Sequence, residues 1–396
     1  MRLPWGVVLA LFCFIFPSIS YPIEEKCQLS CIDVIIPVTI STTNLQIPIA
    51  STGPTFNVPV HGTFNIAARY CEPEIKIPFK QHTLQILVHG ITYDRNYTDT
   101  LYLLAFVDWS GDGPPGSGYH GDQYSWIAFA SKQGYPTLSI DRLGNGLSDH
   151  PDPITVVQLA THVETIHQLV LKARSGTLPG PSKPRAFYKV IYAGHSFGSS
   201  VGNGLNAKYP SDVDATILTG FTNTSNVPVL SAASDTDFSP AAQVNAEKFG
   251  NLDPGYVAIN NETAFTQLFY YPGGFDPALA ALDYSLRGTV ATGELISTTL
   301  GPAIAPNYTR PVFVITGQRD GIFCNLANPH PPVNVTFATF YCGPHTTGLL
   351  AQTNALYPAA KFEWYAPPSA GHCWHFHRVA YATFSIAHEW LASQGL

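Results

Sequence analysis

From residue 84 to residue 365 the chain is punctuated by short, nearly uninterrupted apolar runs bounded by glycine, proline or polar residues. They are Leu84–Val88, Pro136–Ile140, Val190–Ala193, Ala215–Leu218, Val312–Thr316 and Phe362–Tyr365. Runs of this kind predict strands buried on both faces of a parallel sheet. Between them, Ile154–Arg174 sets Val157, Leu159, Val163, Ile166, Leu169 and Val170 near a 3.6-residue spacing, which predicts a helix with one apolar stripe. The stretch from Trp374 to Gln394 carries the same kind of pattern. Strands alternating with helices define βαβ units, hence an α/β fold with a mostly parallel central sheet flanked by helices.

Two stretches fall outside that rhythm. Upstream, Val34–Ile40 and Gly62–Ala67 combine β-branched residues with nearby prolines, which predicts edge strands or hairpins. Residues 223–309, rich in Ala, Pro, Ser and Asn, interrupt the alternation over a length that loops in compact domains rarely reach. This segment is expected to be a cap or lid inserted into the path of the sheet. The expected organisation is therefore a leader at 1–20, an extended segment at 21–80 joined to the sheet, a core at 81–222 and 310–396, and the cap at 223–309.

The leader rests on Arg2, the apolar run Val7–Phe16, and the small residues Ser18 and Ser20 before Tyr21. That is the pattern of a secretory signal peptide, too short for the roughly 20 apolar residues that span a bilayer. A secreted location without stable membrane insertion follows. Removing residues 1–20 takes away Cys13 and Arg2, so seven cysteines become six (7 − 1) and the formal charge of −7 becomes −8 (−7 − 1). Six thiols in an oxidising compartment predict disulfides; Cys324 with Cys342 is the preferred pair because it closes a short loop. Five Asn-x-Ser/Thr triplets, at Asn96, Asn223, Asn261, Asn307 and Asn334, are candidate glycosylation sites on the same premise.

Composition narrows the function. Apolar residues make up 45% of the chain and charged residues only 12%, which excludes intrinsic disorder. The negative net charge argues against nucleic acid as a partner.

The chemistry centres on Gly194-His195-Ser196-Phe197-Gly198, which follows an apolar strand and opens a helix. A Gly-x-Ser-x-Gly turn is sharp and strained, and lifts the serine hydroxyl clear of the sheet. A serine needs a base to take its proton and an acid to orient that base. Downstream, the strand at 312–316 ends in a loop carrying Asp320, and Gly371-His372 follows the last predicted strand. His372 is preferred to His375 and His377 because it sits on the loop, whereas the others fall inside the predicted helix. The end of the preceding strand, Thr219–Asn223, offers no carboxylate, and Asp235 and Asp237 lie well beyond it. Stabilising a tetrahedral oxyanion takes two backbone N–H donors, here Phe197, next after the serine, and Ile91, after His89-Gly90. His89 is read as a structural histidine beneath that loop. The three histidines at 372–377 lack an HExxH spacing, so neither a metal nor an organic cofactor is implied.

Four segments in this order, His89-Gly90, Asp141-Arg142-Leu143-Gly144-Asn145-Gly146-Leu147-Ser148-Asp149, Gly194–Gly198 and Gly371-His372, resemble the α/β-hydrolase family. The likeness extends to its secreted, disulfide-bearing members common in filamentous fungi. The resemblance implies an α/β-hydrolase fold, a Ser196–Asp320–His372 triad, and Phe197 and Ile91 as oxyanion donors. It also implies a turn-forming role without a catalytic group for Asp141–Asp149. A serine at the elbow separates the chain from the branches that carry aspartate there. The expected activity is that of a secreted serine hydrolase cleaving a small, apolar carboxylic ester or lactone through an acyl-enzyme. The alternatives are product release or cyclisation in a fungal secondary-metabolite pathway, or a catalytically silent binding protein on the same fold. An apolar pocket under the cap is expected from Phe269, Tyr270, Tyr271, Phe275 and Trp374.

Overall fold

The extended N-terminal stretch forms a long antiparallel pair, β1 (Ser30–Gln46) and β2 (Thr55–Glu72), stapled by the Cys31–Cys71 disulfide at paired positions. This is a computed structural model describing residues 30–47, 55–93, 121–181, 183–224, 238–324, 342–343 and 348–396. The predicted leader, Asn96, Asn334, Asp235 and Asp237 lie outside the described residues.

The six apolar runs fold as β3 (Thr83–Val88), β4 (Thr137–Ile140), β5 (Lys189–His195), β6 (Ala215–Thr219), β10 (Val312–Ile315) and β11 (Phe362–Tyr365). With the N-terminal pair they make an eight-stranded sheet in the order β1-β2-β4-β3-β5-β6-β10-β11. The neighbours from β4 to β11 run parallel, while β2 joins β4 antiparallel. Strands β3, β4, β6 and β10 are buried throughout, as continuous apolar runs require. The last run departs from the expectation: β11 is half-buried along its length because it forms the edge of the sheet.

Two helices start later than their periodicity predicts. The first spans Leu159–Ser175, not from Ile154, and ends at Gly176 in the left-handed conformation that glycine favours. The backbone from 154 to 158 is claimed by the N-terminal pair instead. Asn44 donates from Nδ2 to the carbonyls of Thr155 and Val156, and Gln158 exchanges hydrogen bonds with the Leu45 backbone. The last helix spans Ala380–Ser393, preceded by a tight turn at Trp374–Phe376. That turn bends the chain back so that His377 accepts the N–H groups of Gly371 and Tyr271 at Nε2, which a helix from Trp374 would forbid.

The stretch between β6 and β10 contains a separate three-stranded antiparallel sheet, β7 (Phe238–Pro240), β8 (Tyr256–Ile259) and β9 (Val290–Ala291). Its helices carry local start signals. Asn261 caps Glu262–Phe269 through the Thr263 and Ala264 N–H groups, and Asp276 caps a helix whose first residue is Pro277. No helix among the described residues is long and apolar enough to cross a membrane.

Candidate active site

Ser196 directly follows β5, in the middle of the sheet, and is the residue before the helix Phe197–Lys208. Its backbone takes φ 53° and ψ −115°, a strained conformation for a residue with a Cβ. Local packing enforces it. A Cβ at Gly194 would fall on the Gly198 carbonyl, and one at Gly198 would fall on the Val88 carbonyl of β3. The helix can press onto the sheet only because both positions are bare. Gly198→Ala is accordingly expected to cost more than the ~1–3 kcal/mol of ordinary overpacking, because backbone and not a side chain must yield. The check is a chemical-denaturation midpoint, which should fall sharply or vanish with the folded state.

Asp320 and His372 lie on loops following β10 and β11. Both are fully buried, and His372 Nδ1 lies 2.8 Å from Asp320 Oδ2. The other carboxylate oxygen, Oδ1, accepts the N–H groups of Ile322 at 2.8 Å and Phe323 at 2.9 Å, so the acid is fixed from both sides. The two loops are laced together by Arg319 N–H to Ala370 O and Gln318 N–H to Pro367 O. With Nδ1–H donating to Asp320, Nε2 is left as the acceptor, and it is buried with no hydrogen-bond partner among the described residues. Phe269 and Phe323 each stack with the imidazole at ring-centroid distances of 5.7 Å.

Ser196 and His372 flank one residue, Gly220. Ser196 N–H donates to the Thr219 carbonyl just before it, and a Cβ on Gly220 would come within 2.8 Å of His372 Cε1. The serine–histidine hydrogen bond itself is not formed. In substrate-free sites such bonds are commonly long and tighten when the substrate arrives.

The Ile91 segment lies against the same serine. A Cβ on Gly90 would sit 2.9 Å from Ser196 Cβ. Phe197 N–H is the first of its helix, where no intrahelical acceptor exists, and neither it nor Ile91 N–H has an acceptor among the described residues. Three non-glycine residues take positive φ among those described, Thr92, Ser196 and Ser369. Each is on a segment that converges here, and strain of this kind concentrates where surrounding structure over-determines it.

Several residues take other places than expected. Trp374 is fully buried and donates its indole N–H to the Ile315 carbonyl, so it belongs to the core beneath the site. Tyr270 turns its hydroxyl onto the buried Asp283 carboxylate, which also accepts from Tyr93; burial raises Asp283 to about 7. His377 anchors the His372 loop, and burial lowers it to about 4. His375 is likewise pushed well below the ordinary range, by burial and then by the nearby His372. Asn261 and Asn307 are exposed, whereas Asn223 is half-buried with its amide against the Gln352 carbonyl. Cys324 and Cys342 are bonded as expected, and Cys373 is a buried thiol.

No local sequence pattern signals the charged pair behind the loop at 89–92. Arg142 and Glu294 form a buried ion pair across 152 residues, with His162 donating to the same carboxylate oxygen at 2.8 Å. Burial and then the Arg142 charge hold His162 well below its usual range, so it contributes as a neutral donor.

A sheet of this order, with an elbow serine after β5, Asp320 after β10 and His372 after β11, defines an α/β hydrolase. The chain belongs to the alpha/beta hydrolase family, whose model matches residues 86–384. No curated protein matches it significantly. Among solved structures it is similar to an aryl-esterase candidate from Burkholderia cenocepacia, at 13% identity over 83% of this chain and 95% of that one, with a TM-score of 0.49. An alpha/beta hydrolase fold protein from Chitinophaga pinensis shares 13% identity over 89% and 97% of the two chains, with a TM-score of 0.46. A thermophilic esterase from Thermogutta terrifontis shares 13% over 90% and 99%, with a TM-score of 0.43.

Proposed function

We propose that the protein is a serine hydrolase that cleaves a small carboxylic ester or lactone through an acyl-enzyme on Ser196. One observation carries the reading: the buried Asp320–His372 hydrogen bond leaves His372 Nε2 as a bare acceptor on an imidazole packed against Gly220, the residue after the one that accepts the N–H of the strained Ser196. Ser196 Oγ attacks the substrate carbonyl while Nε2 takes its proton, and Asp320 stabilises the imidazolium that forms. The Phe197 and Ile91 N–H groups receive the oxyanion. Collapse of the tetrahedral intermediate expels the alcohol, which takes the proton from His372. Water then attacks the acyl carbon and loses a proton to Nε2; the second collapse frees the acid and expels Ser196 Oγ, which takes that proton back from His372 and so restores both groups.

The stretch 223–309 acts in this reading as a cap. Phe269 from it stacks on His372 and gives the site an apolar wall suited to an apolar acyl or alcohol group. Secretion is part of the proposal, supported by the Cys31–Cys71 and Cys324–Cys342 disulfides. A fluorophosphonate probe should label the wild-type protein at Ser196 and leave Ser196→Ala unlabelled, with turnover of p-nitrophenyl esters lost in parallel. Equal labelling of both proteins would remove Ser196 as the nucleophile.

A further inference from the structure

The Asp141–Asp149 turn provides no member of the proposed triad, yet its second residue reaches both segments credited with the oxyanion donors. Arg142 is buried, and its guanidinium donates from Nε to the His89 carbonyl and from Nη2 to the Gly90 carbonyl, each at 3.0 Å. The same group lies 4.7 Å from the centre of the Phe197 ring. Its main-chain N–H donates to His89 Nε2 at 2.9 Å, while His89 Nδ1 lies 2.8 Å from the Gly90 carbonyl. His89 is thereby a neutral imidazole with Nδ1–H donating and Nε2 accepting, kept so by burial and by the Arg142 charge.

A buried guanidinium is costly unless paired, and its partner comes from the inserted segment. Glu294 takes Arg142 on Oε1 and accepts the Ala291 N–H on Oε2 at 2.8 Å. The helix bearing it, Thr292–Ser297, is tied to the core by Gly293 N–H to Pro153 O and by Leu159 N–H to Ser297 Oγ. Just before it, Gly288 N–H donates to the Thr92 carbonyl at 2.7 Å, and Thr92 N–H donates to the Thr289 carbonyl at 3.2 Å. Thus residues 288–294 grip the loop at 89–92 twice, once through its backbone and once through Arg142.

The consequence follows from peptide geometry. In a trans peptide the C=O and the next N–H point in opposite directions, and the described backbone contains no cis bond. Two donors, Arg142 and His89, hold the Gly90 carbonyl, so the Ile91 N–H must face the other way. Gly90 itself lies against Ser196. Were the carbonyl released, the peptide could rotate and present an acceptor where a donor is needed. We propose that Arg142 and Glu294 are positioning residues which lock the Gly90–Ile91 peptide with its N–H toward the nucleophile before substrate binds. The proposal rests on the reading of Ile91 as an oxyanion donor.

The test compares Arg142→Met/Glu294→Met, which removes both buried charges together, with Glu294→Gln and Ser196→Ala. The double replacement should lower kcat by about 10²–10³-fold with KM changed less than about threefold, the size of one lost oxyanion donor. Inhibition by phenylboronate, whose tetrahedral adduct needs the same donors, should weaken by a similar factor. Fluorophosphonate labelling should slow correspondingly but still reach completion. Glu294→Gln, which keeps the shape, should lower kcat about tenfold at unchanged KM and serves if the double variant does not fold. Wild-type kcat per folded molecule in either variant, with Ser196→Ala inactive, would overturn the positioning role and leave the nucleophile standing. Turnover retained in Ser196→Ala would instead remove the parent reading, and this one with it.

Discussion

Replacing His372 with alanine is expected to lower kcat on a p-nitrophenyl ester by roughly 10⁶-fold, and Asp320→Asn by roughly 10⁴-fold. The difference in size has a structural cause. Without the imidazole nothing takes the Ser196 proton. An asparagine at 320 can still accept the Ile322 and Phe323 N–H groups at the Oδ1 position, so the loop should survive. Its amide, however, would present N–H to His372 Nδ1 where a carboxylate oxygen now lies at 2.8 Å. The proton would move to Nε2, and the base would become a donor facing a donor. Because the three groups act as a unit, Ser196→Ala/His372→Ala should be little worse than either single change. Thermal unfolding measured alongside separates lost chemistry from lost fold, since both side chains are fully buried. An Asp320→Asn enzyme within tenfold of wild type would redirect the search to another acid, and the buried Asp283 is the first to test.

What was legible in the sequence followed from local rules. The parallel strands announce themselves because burial on both faces demands an unbroken apolar run, and β3 and β6 obey this at every position. The elbow is legible because its glycines are forced by contacts within a few residues and by the neighbouring strand. Asp320 and His372 were singled out on a local pattern, a strand-ending loop after an apolar run, and the fold brings the two side chains to 2.8 Å of each other. The failures are of a different kind. The helix predicted from Ile154 begins at Leu159 because Asn44 and Gln158 divert its first turn, and no periodicity encodes a partner more than 100 residues away. Trp374 reads as a pocket aromatic until the sheet above it is built. The Asp141–Asp149 segment reads as turn chemistry, and most of it is: Asp141 accepts the Leu147 N–H, and Gly146 has no room for a Cβ beside that carboxylate. Arg142 within it means nothing until Glu294 is brought alongside.

Lowering the pH from about 6.5 to about 4 is expected to destabilise the fold steeply. His377 and His388 are held to about 4 against 6.5 in the unfolded chain, with burial as the main cause in both. The hydrogen bonds show why they stay neutral. His377 uses Nε2 to accept two backbone N–H groups, and His388 faces the Gln85 amide at Nε2 with Nδ1 on the Phe384 carbonyl. Lys80 adds a repulsive charge near His388. A base whose folded pKa is depressed binds protons first in the unfolded state, so stability is full above about 6.5 and drains until about 4. Each of these two histidines accounts for ~3 kcal/mol over that window. Asp283 works in the opposite sense. Raised to about 7 from 3.8, it favours the folded state once protonated and returns ~4 kcal/mol as the pH falls through that range. His89, His162, His195 and His375, all buried and pushed well below 6.5, add to the loss and decide the balance. Since whole domains are stable by only about 5–15 kcal/mol, the urea midpoint should fall through most of its range between pH 6.5 and 4.5. His388→Gln should flatten that dependence by about one proton. A midpoint unchanged across the window would mean that these imidazoles are not buried neutral, and with that the anchoring of the His372 loop by His377 would have to be redrawn.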